Sequence, residues 1–181
     1  MPPTVDASLR HSANVLGALA LSLHDRTILA IEEAAAQTET GAATLSMLAN
    51  FLDEPRVGLL HRVVGLTPSG AVRLVDRLET DGYLERGPGG DGRSTSVRLT
   101  PAGREMARKV ADARADVLLH ALSALTPEQQ RTLDELVSTM LAGLIRGPGA
   151  TRWMCRLCDA RACGHDQGAC PVANAARERF G

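Results

Sequence analysis

Aromatic side chains are nearly absent from this chain: two Phe, one Tyr and one Trp in 181 residues. Sandwich and barrel cores draw much of their volume from aromatic and β-branched residues, so that class is disfavoured. The apolar mass is mostly Ala, Leu and Val, which suits amphipathic helices packed on one another. No run approaches the roughly 20 apolar residues of a membrane-spanning helix, and the N-terminus lacks the charged-then-apolar pattern of a secretory leader. A cytoplasmic protein with no membrane partner is expected. Nucleophile motifs, phosphate-binding loops and metal motifs with an open ligand position are missing as well. His11, His24, His61 and His120 are scattered, so an enzyme is not expected.

Excess charge is also lacking, the formal net charge being -1. The distribution is uneven, however. Between Arg56 and Arg104 there are eight Arg against five acids, an excess of three positive charges, and local rather than total charge governs affinity for a polyanion. Lys109 is the only Lys in the chain.

Apolar periodicity predicts a mainly α protein with one small β-hairpin. Leu9, Val15, Leu16, Leu19, Leu23, Ile28 and Ile31 recur at helical intervals between Ser8 and about Thr38. A second helix is expected over about Ala42 to Leu52, ahead of Glu54-Pro55, because the residue before Pro disfavours the helical conformation. Arg56 to Val64 reads as a short helix, and Gly65 as a tight turn. Thr67 is a good N-cap and Pro68 suits the first helical position, so a new helix starts there and runs to Asp81-Gly82. Ala71, Leu74, Val75 and Leu78 form its apolar face, leaving Ser69, Arg73 and Arg77 on the other side. Two helices joined by a short glycine turn, the second with Arg at i and i+4 away from its core, have the helix-turn-helix layout.

After Gly82 the period becomes that of strands. Tyr83 to Arg86 and Ser94 to Leu99 are strand candidates around the turn-rich segment 87–93, so a hairpin wing follows the helix. Thr100-Pro101 and Thr126-Pro127 repeat the helix-start signal and open helices ending near Leu125 and at Leu144. Gly147-Pro148-Gly149 stops the last one.

The blocks Leu66-Thr67-Pro68-Ser69, Arg73-Leu74-Val75-Asp76-Arg77-Leu78-Glu79, Gly82-Tyr83-Leu84-Glu85-Arg86, Asp91-Gly92-Arg93 and Val97-Arg98-Leu99-Thr100-Pro101-Ala102-Gly103 resemble, in order, the signature blocks of MarR-type transcriptional regulators. The resemblance implies a winged helix-turn-helix domain over residues 39–104. It also implies a homodimer formed by an N-terminal dimerisation helix (1–38) and C-terminal dimerisation helices (105–146). Such dimers bind an operator in double-stranded DNA, usually as repressors, and respond to a small-molecule effector held between the dimer region and the winged domain. Ser69, Arg73 and Arg77 would enter the major groove and Arg93 the minor groove, with Thr67 and Gly70 completing the set at the helix N-terminus. The chemistry agrees: an exposed Arg can pair two donors with guanine O6 and N7, a helix N-terminus suits phosphate, and a loop Arg suits a narrow minor groove. A competing reading pairs Arg73 and Arg77 with Asp76, Glu79 or Asp81 on a solvated face. In another, the winged fold is an interaction module that no longer binds DNA.

A tail over residues 147–181 lies outside that resemblance. It holds all four cysteines of the chain, Cys155, Cys158, Cys163 and Cys170, spaced C-x2-C-x4-C-x6-C. Four thiols this close in a cytoplasmic protein favour a metal, and four thiolates close a tetrahedral Zn2+ shell. The alternative is an iron-sulfur cluster, for which Cys170-Pro171 is a suggestive ending, and with it a redox- or nitric oxide-sensing regulator. Gly164 and Gly168 are expected to make tight turns. His165 reads as a solvated loop residue, and Trp153 as packing on a dimerisation helix.

Overall fold

The computed structural model describes residues 6–89 and 94–181. Eight helices and one hairpin occur among them: α1 (Ala7–Ala35), α2 (Glu39–Asn50), α3 (Val57–Val64), α4 (Pro68–Thr80), β1 (Leu84–Pro88), β2 (Thr95–Leu99), α5 (Pro101–Leu122), α6 (Pro127–Leu144), α7 (Ala150–Met154) and α8 (Pro171–Phe180). The expected class, mainly helical with a small hairpin, is the observed one. No described helix is long and apolar enough to cross a membrane.

Several boundaries move: β1 covers Leu84–Pro88 rather than Tyr83 to Arg86, α5 ends at Leu122 rather than near Leu125, and the junction of the first two helices shifts. The first helix ends at Ala35 rather than near Thr38, because Ala36 turns left-handed at φ 48°. Thr38 is thereby freed to cap α2, its hydroxyl accepting from the Gly41 amide, so α2 starts at Glu39 and not at Ala42. A capping side chain takes one of the four amides that a helix start leaves without a partner, and this set the register here. The three Thr-Pro starts fall where the sequence places them: Thr67, Thr100 and Thr126 cap α4, α5 and α6, each with Pro in the first turn.

Leu45, Leu60, Leu74, Val75, Leu78, Leu84, Val97, Leu99 and Ala107 form one core, drawing on α2, α3, α4, both strands and α5. The hairpin is antiparallel, with Leu84 opposite Leu99 and Glu85 opposite Arg98. Arg56 adds an isolated bridge to Ser96, so the stretch before α3 borders β2. Gly103 is dictated by packing, since a Cβ there would collide with the Tyr83 carbonyl. A second cluster joins Ile31 and Ala35 of α1 to Ala42 of α2 and to Val110 and Ala113 of α5.

The tail is more structured than its composition suggests. Ala150, Cys155, Cys170, Val172 and Ala176 make a small core with Ile145, against which Phe51 and Leu141 pack. Helix α8, which the sequence reading misses, docks on α6. Its amphipathic turns are only ten residues long and carry small alanines, too weak a periodic signal to read without a partner surface.

Candidate nucleic-acid interface and cysteine cluster

Gly65 adopts φ 68° and lets the chain reverse between α3 and α4, a conformation that costs Gly little. Helix α4 then buries Ala71, Leu74, Val75 and Leu78, which forces Ser69, Arg73 and Arg77 outward. The Thr67 hydroxyl accepts from the Gly70 amide at 3.1 Å and lies 3.3 Å from the Ser69 hydroxyl. Thr67 and Gly70 therefore satisfy each other and build the helix end, with the Ser69 hydroxyl exposed beside the cap and Arg73 one turn further along.

The acids of α4 do not pair with its own arginines. Arg86 of β1 reaches back and forms ion pairs with both Asp76 and Glu79. Its pKa is raised, first by the hydrogen bond to Asp76 and then by the field of Glu79. Among the described residues, neither Arg73 nor Arg77 takes part in an ion pair. Arg77 instead donates from Nη2 to the Thr38 hydroxyl at 3.2 Å, across to the N-terminus of α2. On the hairpin, Arg98 pairs with Glu85 at 2.8 Å and with Glu54 at 3.7 Å. Arg93, the expected wing-tip residue, lies outside the described residues.

With this geometry in view, the likeness to solved structures is decisive for the fold. A MarR family transcriptional regulator from Streptomyces coelicolor, Sco3205, solved in complex with DNA, aligns at TM-score 0.64 and 25% identity over 85% of this chain and 98% of that one. This is the fold of MarR-family transcriptional regulators. MepR, a transcription regulator of the Staphylococcus aureus multidrug efflux pump MepA, aligns at TM-score 0.64 and 16% identity over 74% of this chain and 98% of its own. A MarR family regulator from Silicibacter pomeroyi aligns at TM-score 0.55 and 23% identity, covering 70% and 88%. No family model and no curated protein matches the chain.

Beyond the MarR-like body, the tail brings its cysteines together as two interacting pairs. Cys155 and Cys170 are buried, Cys158 and Cys163 half-buried, and all four are free thiols. Hydrogen bonding from Cys155 lowers the Cys158 pKa to about 6, helped by the nearby Arg114 guanidinium of α5, and the same bond with burial raises that of Cys155. Burial, with hydrogen bonding to Cys170, raises Cys163 to about 12. Among the described residues no three His, Cys, Asp or Glu side chains converge closely enough to hold a metal. Gly164 and Gly168 make the expected turns, with φ 65° and 72°.

Two tail residues differ from expectation. His165 is not a solvated loop residue: its ring meets Phe51 edge-on at 5.2 Å, and its Nδ1 is buried with no hydrogen-bond partner among the described residues. The ring is held by Phe51, at the end of α2, a contact that sequence spacing cannot reveal. Trp153 does not pack along a dimerisation helix either. It borders a groove lined by Glu39, Thr40 and Ala43 of α2 and by Arg62 and Val63 of α3, because α7 folds back over α3.

Proposed function

We propose that this protein is a homodimeric regulator of transcription that reads a specific operator in double-stranded DNA through α4. The observation that carries the reading is the sorting of charge around that helix: Arg86 takes up Asp76 and Glu79, leaving Ser69, Arg73 and Arg77 as the outward set. In the major groove Arg73 and Arg77 would each offer a pair of donors to guanine, and Ser69 would meet phosphate at the helix N-terminus. Arg77 rests beside the positive end of α2, an unfavourable place for a cation, so DNA acceptors can displace the Thr38 contact at small cost. Arg93 is assigned by resemblance to the minor groove.

A dimer is supported by apolar surface left without a partner in one chain. Leu9, Val15, Leu16 and Leu19 of α1, Leu119 of α5 and Leu136, Val137, Met140 and Leu144 of α6 are all exposed. A monomer seldom leaves so much apolar helix in water. The effector, in this reading, enters the groove of about 510 Å³ between α2, β2 and α5, bordered by Leu52, Arg98, Arg104, Arg108 and Asp159. The protein works as a repressor in the cytoplasm and catalyses nothing.

Selection from a random duplex pool, followed by binding titrations at several salt concentrations, tests this. The expected result is one enriched, near-palindromic sequence whose affinity falls steeply as salt rises. Recovery of no sequence, with weak binding to all duplexes alike, would overturn it in favour of an interaction module.

A further inference from the structure

DNA recognition through α4 leaves unused the groove of about 370 Å³ that the tail builds beside the helix-turn-helix. Its walls are the first turn of α2, the last turn of α3 with Arg62, the Gly65 turn, and Trp153 and Arg156 of the tail. Two links join this groove to the outward face of α4. Gly65 lies two residues before Thr67, the cap of α4. Glu39 follows Thr38, whose hydroxyl accepts from Arg77.

Arg156 fixes the tail in this position. Its Nη1 donates to the Trp153 carbonyl at 3.0 Å, and its Nη2 pairs with Glu39 at 3.0 Å. The Ala160 amide adds a bond to Asn50 Oδ1 at 3.2 Å, at the other end of α2. Glu39, the acid in the groove wall, is thereby neutralised, with His24 Nε2 3.9 Å from its second oxygen. Arg62 is exposed and makes no ion pair among the described residues, so the uncompensated charge of the groove is positive. Beside it Trp153, the only Trp of the chain, is 40% exposed. An indole joins a large apolar face to one N–H donor, a combination that suits a surface which is covered on binding.

We propose, on the reading that α4 enters an operator, that this groove holds the sugar-phosphate backbone of the same duplex, so that the tail extends the DNA contact beyond the major-groove site. Arg62 donates to a phosphate, and Trp153 lays its ring against the adjoining deoxyribose with its N–H toward a phosphate oxygen. Arg156 is a positioning residue: it holds α7 on α2 and cancels the charge of Glu39, which would otherwise repel phosphate. DNA is the occupant because the groove adjoins the α4 face at Gly65 and at Thr38 and because its free charge is positive. Backbone contacts carry no sequence information, so the tail adds affinity and register while α4 supplies specificity.

Titration of the full-length protein with its selected operator, followed through Trp153 fluorescence, tests the proposal, since no other Trp contributes. The expected result is a blue-shifted emission and weaker acrylamide quenching once DNA is bound. Arg62→Ala should weaken binding by about tenfold on every operator sequence and lower the slope of log affinity against log salt by about 1 per subunit. Arg62→Lys should restore the slope, and Arg131→Ala on α6, the control for loss of charge alone, should leave it unchanged. Tight operator binding with unshifted Trp153 emission and an unchanged slope in Arg62→Ala would overturn the tail contact and leave α4 as the reader. An emission shift with an unchanged slope would overturn it too, as the mark of a conformational change without contact. Failure to select any operator would instead strike the reading of α4, and the tail contact with it.

Discussion

Helices α4 and α6 start from the same local sequence pattern, Thr-Pro followed by an amphipathic repeat, yet they meet opposite fates. Helix α4 buries Ala71, Leu74, Val75 and Leu78 and shows its arginines to solvent. Helix α6 buries none of its residues and exposes Leu136, Val137, Met140 and Leu144, with Leu136 at 59%. Its capping box at Thr126 and Gln129 makes it a well-formed helix regardless. Local stability and burial are thus separate matters: α4 covers its apolar face within the chain, and α6 leaves most of its own exposed.

Leu136→Asp breaks that comparison most sharply. In a two-fold interface the change occurs twice and each lost Leu is worth about 1.5–3 kcal/mol, so dimer affinity should fall by about 3–6 kcal/mol. Sedimentation across a concentration series measures it; an unchanged monomer mass or an unchanged dimer would refute the proposed two-fold interface. Leu78→Ala acts on the other helix. It should cost about 2–5 kcal/mol of folding stability, since Leu78 is fully buried, and urea melts should show the loss equally at every protein concentration.

Smaller effects sharpen the picture of the α4 surface. Arg73→Ala should weaken operator binding by about 1–3 kcal/mol with an unshifted melting curve, as a lost base contact does. Arg77→Ala should lose a comparable amount of affinity and, in addition, a few tenths of a degree to a few degrees of melting temperature, because its bond to Thr38 joins α4 to α2. Equal melting temperatures for the two variants would mean that the Thr38 bond contributes nothing. Thr67→Ala should cost about 1 kcal/mol through the lost cap, read as an earlier thermal transition.

Much of this protein was legible in order. The Thr-Pro starts, the αL glycine at Gly65 and the switch from helical to alternating period after Gly82 are local signals whose physics acts within a few residues. They placed α4, the hairpin, α5 and α6 nearly as observed. The boundary between α1 and α2 was misjudged because Thr38 looks like any polar residue until its hydroxyl meets the Gly41 amide. Helix α8 and the packing of the His165 ring depended on Leu141, Ile145 and Phe51, which lie far from them in sequence.

By itself the sequence determined that a helix opens at each of the three Thr-Pro starts and which face of α4 carries Ser69, Arg73 and Arg77, since capping and periodicity are short-range. Only the tertiary structure decided what those faces meet. It gave Asp76 and Glu79 to Arg86 rather than to the arginines of their own helix, sent Arg77 to Thr38, and left Leu136, Val137, Met140 and Leu144 of α6 exposed. It also folded the cysteine tail across α2. Those pairings follow from packing many elements around shared cores, where burying apolar area outweighs any single local preference.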